Sequence, residues 1–409
     1  MFIIMKLIFI NTAYPQEYYS QLKLDTNNNL QTASNAFQWA VIDGLERNEI
    51  DYTLVCVPAL PAYPRYKRLF TPTGEMFVAG RGRGHYLSYC DLPAIKQLSE
   101  RRVLRNYIYK WCEQNKYEDK LIALVYTQSV AQLGAAIELK KKFPNLIVAP
   151  IVTDLIENAM DFYANHSFLK RIQVKLEAKG ERNLFPKVDK YILLTSQMTE
   201  RIQEAKGKYI VVEGISPQDS LKTRDLINKD KQVRTLLYTG VLEKYAGIDL
   251  LVDAFYKTTN NDFRLIICGS GSSAPYVKDL VNKDNRIIYK GRVDREEAVQ
   301  LQRECTLLIN PRIPNGDITK YSFPSKTMEY MTSLTPMIGY HLEGIPNEYY
   351  EHMYTPRDLS VKSLTDCINE TLSLPLEILR DKAEKAAGFI SDKKNAKTQV
   401  KRIIEFLSS

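Results

Sequence analysis

The chain lacks the patterns that announce several common chemistries. Its six cysteines, at positions 56, 90, 112, 268, 305 and 367, are scattered without a CxxC pair. Neither a zinc site nor a disulfide framework is signalled, and a reducing cytoplasm fits. The first predicted βαβ unit has no GxGxxG, which removes the best support for a dinucleotide-dependent oxidoreductase. Phe2 to Ile10 is apolar but is interrupted by Lys6 and falls far short of the roughly 20 residues that span a bilayer. No small-residue cleavage site follows it, so it reads as a first buried strand. An aromatic-basic module such as an RNP motif is also missing, and nucleic acid is not an expected partner.

What is present is a chain of 409 residues, 44% hydrophobic and 25% charged. That length is too great for one ordinary core and suits two globular domains of about 200 residues. The net charge of +8 favours anionic partners without choosing among them.

Apolar runs alternate with helical patterns. Strands are predicted at Met5–Asn11, Tyr52–Val57, Leu121–Tyr126, Leu146–Val152 and Tyr191–Thr195, with helices over 32–47, near 130–142 and over 168–185. This alternation predicts a doubly wound parallel α/β sheet, whose ligands gather beyond the carboxyl ends of the strands. Thr127 and Asp154 stand at two such ends. Asp154 suits either an acceptor contact or a helix cap. A second αβ domain is expected from Val233 after an interdomain segment, with strands at Leu236–Tyr238 and Ile266–Ser270.

Between Arg65 and Arg105 nine Lys and Arg face three acidic residues, a local balance of +6. Within this tract GRGRG at 80–84 reads as a flexible basic loop, and a helix over 99–115 carries Val103, Leu104, Tyr107, Ile108 and Trp111 on one side. That side either packs on the sheet or meets a membrane; the loop, with Arg81 and Arg83, suits an anionic acceptor or anionic membrane.

The segment from Asn310 to Pro346 is the most legible. A short strand, Leu307–Ile309, is broken by Pro311 and Pro314. Ser322 is a plausible N-cap, Pro324 fits a first turn, and a helix is predicted over 325–333, with Met328, Met331 and Leu334 toward the core. A helix start beyond a strand end offers N–H groups to a phosphate, and Lys326 adds a full charge. Three residues on, the Glu329 carboxylate could accept from two neighbouring hydroxyls such as those of a ribose. An exposed ion pair between the two is the alternative.

Four segments together, LLYTGVLEKYAGIDLLVDAF at 236–255, RLIICGSG at 264–271, RIIYKGRVDREEAVQLQRECTLLINP at 286–311 and FPSKTMEYMTSLTPMI at 323–338, resemble the nucleotide-sugar half of a family 4 glycosyltransferase (glycosyl transferase group 1). The resemblance implies the GT-B fold, two facing Rossmann-like α/β domains with an interdomain cleft. The expected division is 1–213 for acceptor binding, a linker at 214–232, 233–390 for the nucleotide sugar, and a tail at 391–409 that crosses back to the first domain.

It also implies retaining sugar transfer from a nucleotide-diphosphate sugar to a glycan or lipid-diphosphate acceptor. The setting is bacterial surface polysaccharide synthesis, with no metal and no cofactor, in the cytoplasm at the inner face of the cell membrane. Lys326 and Asp154 are the candidate catalytic residues. Gly240, Lys244, Gly269, Gly271, Arg292, Val293, Tyr321, Ser322, Phe323, Ser325, Lys326 and Glu329 are the candidates for the donor; the basic tract and the strand ends make Arg81, Arg83, Thr127 and Asp154 the candidates for the acceptor. Four departures stand out. Val241 and Ala246 occupy the places of the family's phosphate-binding arginine and lysine, Tyr321 replaces the first of its paired glutamates, and no histidine lies at a first-domain strand end. A non-catalytic nucleotide-sugar-binding partner of another transferase is the competing reading.

Overall fold

The structure is a computed structural model that describes residues 5–78, 82–127, 130–155, 168–216 and 233–409. Contacts divide the chain into two units, Met1–Ile215 with Ala396–Ser409, and Ser216–Asn395. Of the expected linker, residues 217–232 lie outside the described residues.

The first unit contains β1 (Met5–Asn11), α1 (Tyr19–Asp25), α2 (Thr32–Arg47), β2 (Tyr52–Cys56), β3 (Gly74–Met76), β4 (Arg83–Tyr86), α3 (Lys96–Gln114), β5 (Lys120–Thr127), α4 (Val130–Ile137), β6 (Leu146–Val152), α5 (Phe168–Leu184), β7 (Tyr191–Leu193) and β8 (Tyr209–Val211). Its sheet runs β3-β4-β2-β1-β5-β6-β7-β8. Pairing is parallel, with Leu7 opposite both Tyr52 and Ile122, except at the edge, where β3 is antiparallel to β4. The central strands are buried on both faces, which is why Leu7 to Ile10 and Leu121 to Val125 read as continuous apolar runs rather than alternating ones.

Two expectations about the basic tract are settled here. The apolar side of α3 packs inward: Leu104, Ile108 and Trp111 are buried, and the Trp111 indole donates to Thr53 Oγ1 at 3.1 Å. The GRGRG segment is not wholly a loop, because Arg83 and Gly84 belong to β4, with Arg83 opposite Thr53. Backbone pairing to β2 makes the strand, and its sequence carries no apolar alternation to reveal it. Arg81 lies outside the described residues.

The second unit contains β9 (Arg234–Thr239), α6 (Ile248–Tyr256), β10 (Phe263–Cys268), α7 (Ala274–Lys283), β11 (Ile287–Gly291), α8 (Arg295–Glu304), β12 (Leu307–Asn310), α9 (Gly316–Lys320), α10 (Ser325–Met331), β13 (Met337–Gly339), α11 (Val361–Leu372) and α12 (Leu376–Lys393). The five parallel strands run β11-β10-β9-β12-β13. Strand order therefore reverses between β9 and β12, and beyond their carboxyl ends lies the crevice that such sheets offer to ligands.

The last helix, α13 (Ala396–Ser408), returns to the first unit. Val400, Ile403 and Leu407 join the core that holds Val41 and Leu45 of α2, and Gln399 Nε2 donates to Gly214 O at 3.1 Å.

Candidate functional site

The reversal point in the second unit gathers a small set of polar groups. Tyr238, next to last in β9, has its ring buried and its hydroxyl donating to Val241 O at 2.8 Å. Next to it, Gly240 leaves room that a side chain would fill. A methyl group there would lie 2.6 Å from Lys326 Cε, 2.7 Å from the Tyr238 hydroxyl and 3.0 Å from Lys326 Nζ. The ammonium of α10 thus stands over the end of β9.

Burial holds the Lys326 pKa below its ordinary value, partly opposed by the charge of Glu329. Among the described residues no hydrogen bond or ion pair engages Lys326 Nζ. The simple ion pair with Glu329 is therefore not formed.

Glu329, one turn further along α10, is held from another helix. Gln302 of α8, a buried amide, donates from Nε2 to Glu329 Oε1 at 2.7 Å and to Thr239 Oγ1 at 3.0 Å. The Tyr330 hydroxyl accepts from Thr239 N at 3.1 Å. These bonds fix the carboxylate to the carboxyl end of β9, so Lys326 and Glu329 share one strand end.

A second cation comes from the other side of the reversal. Arg312 follows β12, and its Nη2 donates to Ser322 Oγ at 3.2 Å and to Ile318 O at 3.5 Å. Burial pushes the Tyr238 pKa up, Tyr245 adds to the rise, and the Arg312 charge acts against it, which places the guanidinium within electrostatic reach of that hydroxyl. Lys244 is exposed, whereas Lys320 lies 3.7 Å from the Glu343 carboxylate and over the Tyr321 ring.

Other expected donor residues have different surroundings. A methyl group at Gly269, where φ is +144°, would lie 1.7 Å from Gly240 O, and one at Gly271 would lie 2.3 Å from Leu242 O. These glycines admit the neighbouring backbone at close approach, and Leu242 N donates to Ser270 O at 2.9 Å. Ser322 does not cap α10: its hydroxyl donates to Ile318 O, and the N-cap is Pro324 with no side-chain bond. Leu334 does not continue the helix toward the core but turns at φ +59°. Tyr321 and Phe323 are buried, with the Phe323 ring 5.2 Å from that of Tyr349. Ser325 and Arg292 are exposed, and Val293 packs partly on the core beyond β11. Val241 is half exposed and Ala246 is buried, so neither restores a charge.

In the first unit, Thr127 closes β5 beside β1, where that sheet's strand order reverses. Asp154 is exposed two residues beyond β6, and Arg83 is exposed on β4. Among the described residues no group of three or more His, Cys, Asp or Glu is placed to hold a metal ion.

The arrangement combines two cationic side chains and a positioned carboxylate at a doubly wound sheet's reversal point, and the chain has the fold of the GT-B glycosyltransferases, in two Rossmann-like units. More particularly, residues 233–373 match the family model described as glycosyl transferases group 1. The solved lipopolysaccharide outer core galactosyltransferase WaaB, in its apo form, is 15% identical, with 98% of this chain and 99% of that chain covered at a TM-score of 0.56. Anabaena HepE in complex with UDP and glucose is 14% identical, with coverages of 99% and 100% and a TM-score of 0.57. A UDP-forming trehalose-phosphate synthase from Burkholderia xenovorans is 11% identical, with 99% of each chain covered and a TM-score of 0.62. No curated protein sequence matches the chain significantly.

Sequence reasoning missed Gln302 and Arg312. Arg312 carried a usable signal, since it follows a predicted strand at the end that α/β sheets reserve for ligands. Gln302 carried none, because a glutamine inside an amphipathic helix looks like any solvated position.

Proposed function

We propose that this glycosyltransferase moves a sugar from a nucleotide-diphosphate sugar to a glycan or lipid-diphosphate acceptor, with retention of configuration, in the assembly of a bacterial surface polysaccharide. The observation that carries this reading is the Lys326 ammonium over Gly240, with Glu329 held nearby by Gln302. Glu329 takes the ribose hydroxyls. Lys326 and Arg312 meet the diphosphate, whose growing charge needs cations as the bond to the sugar breaks. Thr127, Asp154 and Arg83 belong to the acceptor side.

In the transfer the bond from the anomeric carbon to the phosphate oxygen breaks, and a bond from that carbon to an acceptor oxygen forms on the same face. The acceptor proton passes to the leaving phosphate. Side-chain cations stabilise the leaving group, so no metal or cofactor is required in this scheme.

The test is calorimetric titration with UDP, GDP and ADP, followed by mass spectrometry of nucleotide sugars incubated with the protein. Binding of one nucleotide diphosphate and release of that nucleotide from its sugar are expected. The competing reading, a non-catalytic nucleotide-sugar-binding partner, draws on Val241 and Ala246 at the usual cation positions. It predicts binding with no release of sugar, with or without acceptor.

A further inference from the structure

The end of β9 is held by side chains where the sheet stops holding it. The register of β9 with β12 ends at Leu237 opposite Leu308, although β9 runs on to Thr239. Gly240 N donates to Cys268 O at 2.9 Å on the β10 side, so the N–H and C=O of Thr239, one residue earlier, face the side from which β12 has diverged. The Tyr330 hydroxyl of α10 fills that place: it accepts from Thr239 N at 3.1 Å and donates to Thr239 O at 3.2 Å. One phenol thus meets two backbone groups whose burial demands partners.

Counting hydrogens gives this cluster one direction. The phenol's single hydrogen goes to Thr239 O, so the Thr239 hydroxyl, 3.1 Å from the Tyr330 oxygen, is the donor of that pair. With its hydrogen committed, Thr239 Oγ1 is left to accept, and Gln302 Nε2 donates to it at 3.0 Å. The other N–H of the amide goes to Glu329 Oε1 at 2.7 Å, because a carboxylate only accepts. Thr239, Gln302 and Tyr330 are 5%, 2% and 0% exposed, so bulk water does not compete for these bonds, whereas Glu329 is exposed. An exposed glutamate ordinarily samples many rotamers; this one is tied to the end of a chain of buried bonds with a single sense.

We propose that Thr239 and Tyr330 are positioning residues that act through Gln302 to hold Glu329 in one orientation, and that this makes the site select a ribose over a 2′-deoxyribose. The inference rests on the reading of Glu329 as the partner of the ribose hydroxyls. A carboxylate grips two neighbouring hydroxyls together when it is held at one angle beforehand, whereas diphosphate contacts by Lys326 and Arg312 do not depend on the 2′ substituent. Loosening the chain therefore removes the 2′-hydroxyl contact and spares the rest.

The test is calorimetry of UDP against 2′-deoxy-UDP, with the GDP and ADP pairs run alongside. The wild type should prefer the ribonucleotide by at least about tenfold, as expected for a hydroxyl bonded to a carboxylate. Thr239→Val and Tyr330→Phe, each nearly isosteric, should narrow that ratio by about fivefold through weaker ribonucleotide binding, with deoxynucleotide affinity unchanged. Thr239→Ser, which keeps the hydroxyl, should retain the ratio. Thr239→Val combined with Gln302→Leu should be no worse than Gln302→Leu alone, since both act on one bond. Equal losses for both sugars would mean that these side chains only support the fold, and would overturn the proposal, as would additive losses in the double variant. Glu329→Ala separates the proposal from the reading beneath it. If that variant loses the preference while Thr239→Val and Tyr330→Phe keep it, the ribose reading stands and the proposal falls. If Glu329→Ala keeps the preference, the ribose reading itself falls, and the proposal with it.

Discussion

Gln302 Nε2 lies 2.7 Å from Glu329 Oε1, and this bond between α8 and α10 sets the direction of the carboxylate. The same amide reaches Thr239 on β9, so helix and strand ends are locked together at the crevice. If Glu329 holds the ribose hydroxyls, Glu329→Ala weakens nucleotide binding by roughly 1.5 to 3 kcal/mol, the range for a hydrogen bond to a charged group. Gln302→Leu keeps the carboxylate but frees it, and costs about 1 kcal/mol of the same affinity. Calorimetry on folded variants checks both, and equal affinity in all three proteins removes the assignment.

Lys326 is the strongest candidate for acting on the transition state. Charge builds on the leaving diphosphate as the sugar departs, so Lys326→Ala should lower kcat by about a hundredfold, roughly 3 kcal/mol, with a smaller change in donor affinity. Its depressed pKa gives a second readout. In the window between the folded value and the ordinary 10.5, the unfolded chain binds the extra proton, so the group's cost to stability is present below the folded pKa and fades as pH rises through the window. Lys326→Met should accordingly raise Tm near neutral pH while impairing transfer. A variant that loses both stability and turnover would point to a merely structural lysine.

Arg312 is expected to read the diphosphate and not the nucleoside. Arg312→Gln should weaken UDP binding by about tenfold and leave uridine binding unchanged, because a charge-assisted bond to phosphate is lost. Equal losses for both ligands would mean that the side chain only supports the 318–322 segment through Ser322 and Ile318.

Glu100 makes the first unit sensitive to pH. Burial, with Asp91 and Glu177 nearby and Lys96 opposing, pushes its pKa up from 4.5 to about 7. The folded state therefore binds the proton more tightly, and the stability this adds is present at low pH and is lost as pH rises through the window from 4.5 to about 7. Glu100→Gln should be more stable than the wild type above pH 8 by as much as about 3 kcal/mol, with the advantage vanishing at low pH. Denaturant titrations across pH measure this, and a constant difference would show that Glu100 does not titrate in this range.

The sequence by itself determined the α/β class, most helices and central strands, and the strand-loop-helix that carries Lys326 and Glu329. Those features are local: continuous apolar runs mark strands buried on both faces, and helical spacing with Pro and Gly punctuation marks the elements between them. The tertiary structure decided what depends on pairing between distant segments. The Gly269–Gly271 turn reads from sequence as a place of close backbone approach, and the fold decides that Gly240 and Leu242 are the backbone that approaches it. Strand β4 exists only because β2 offers its edge. Likewise Gln302, 27 residues before Glu329, acquires its role from the packing of α8 and α10 at the end of β9. A side chain's type is written in the sequence, but its partner is chosen by the sheet that folds around it.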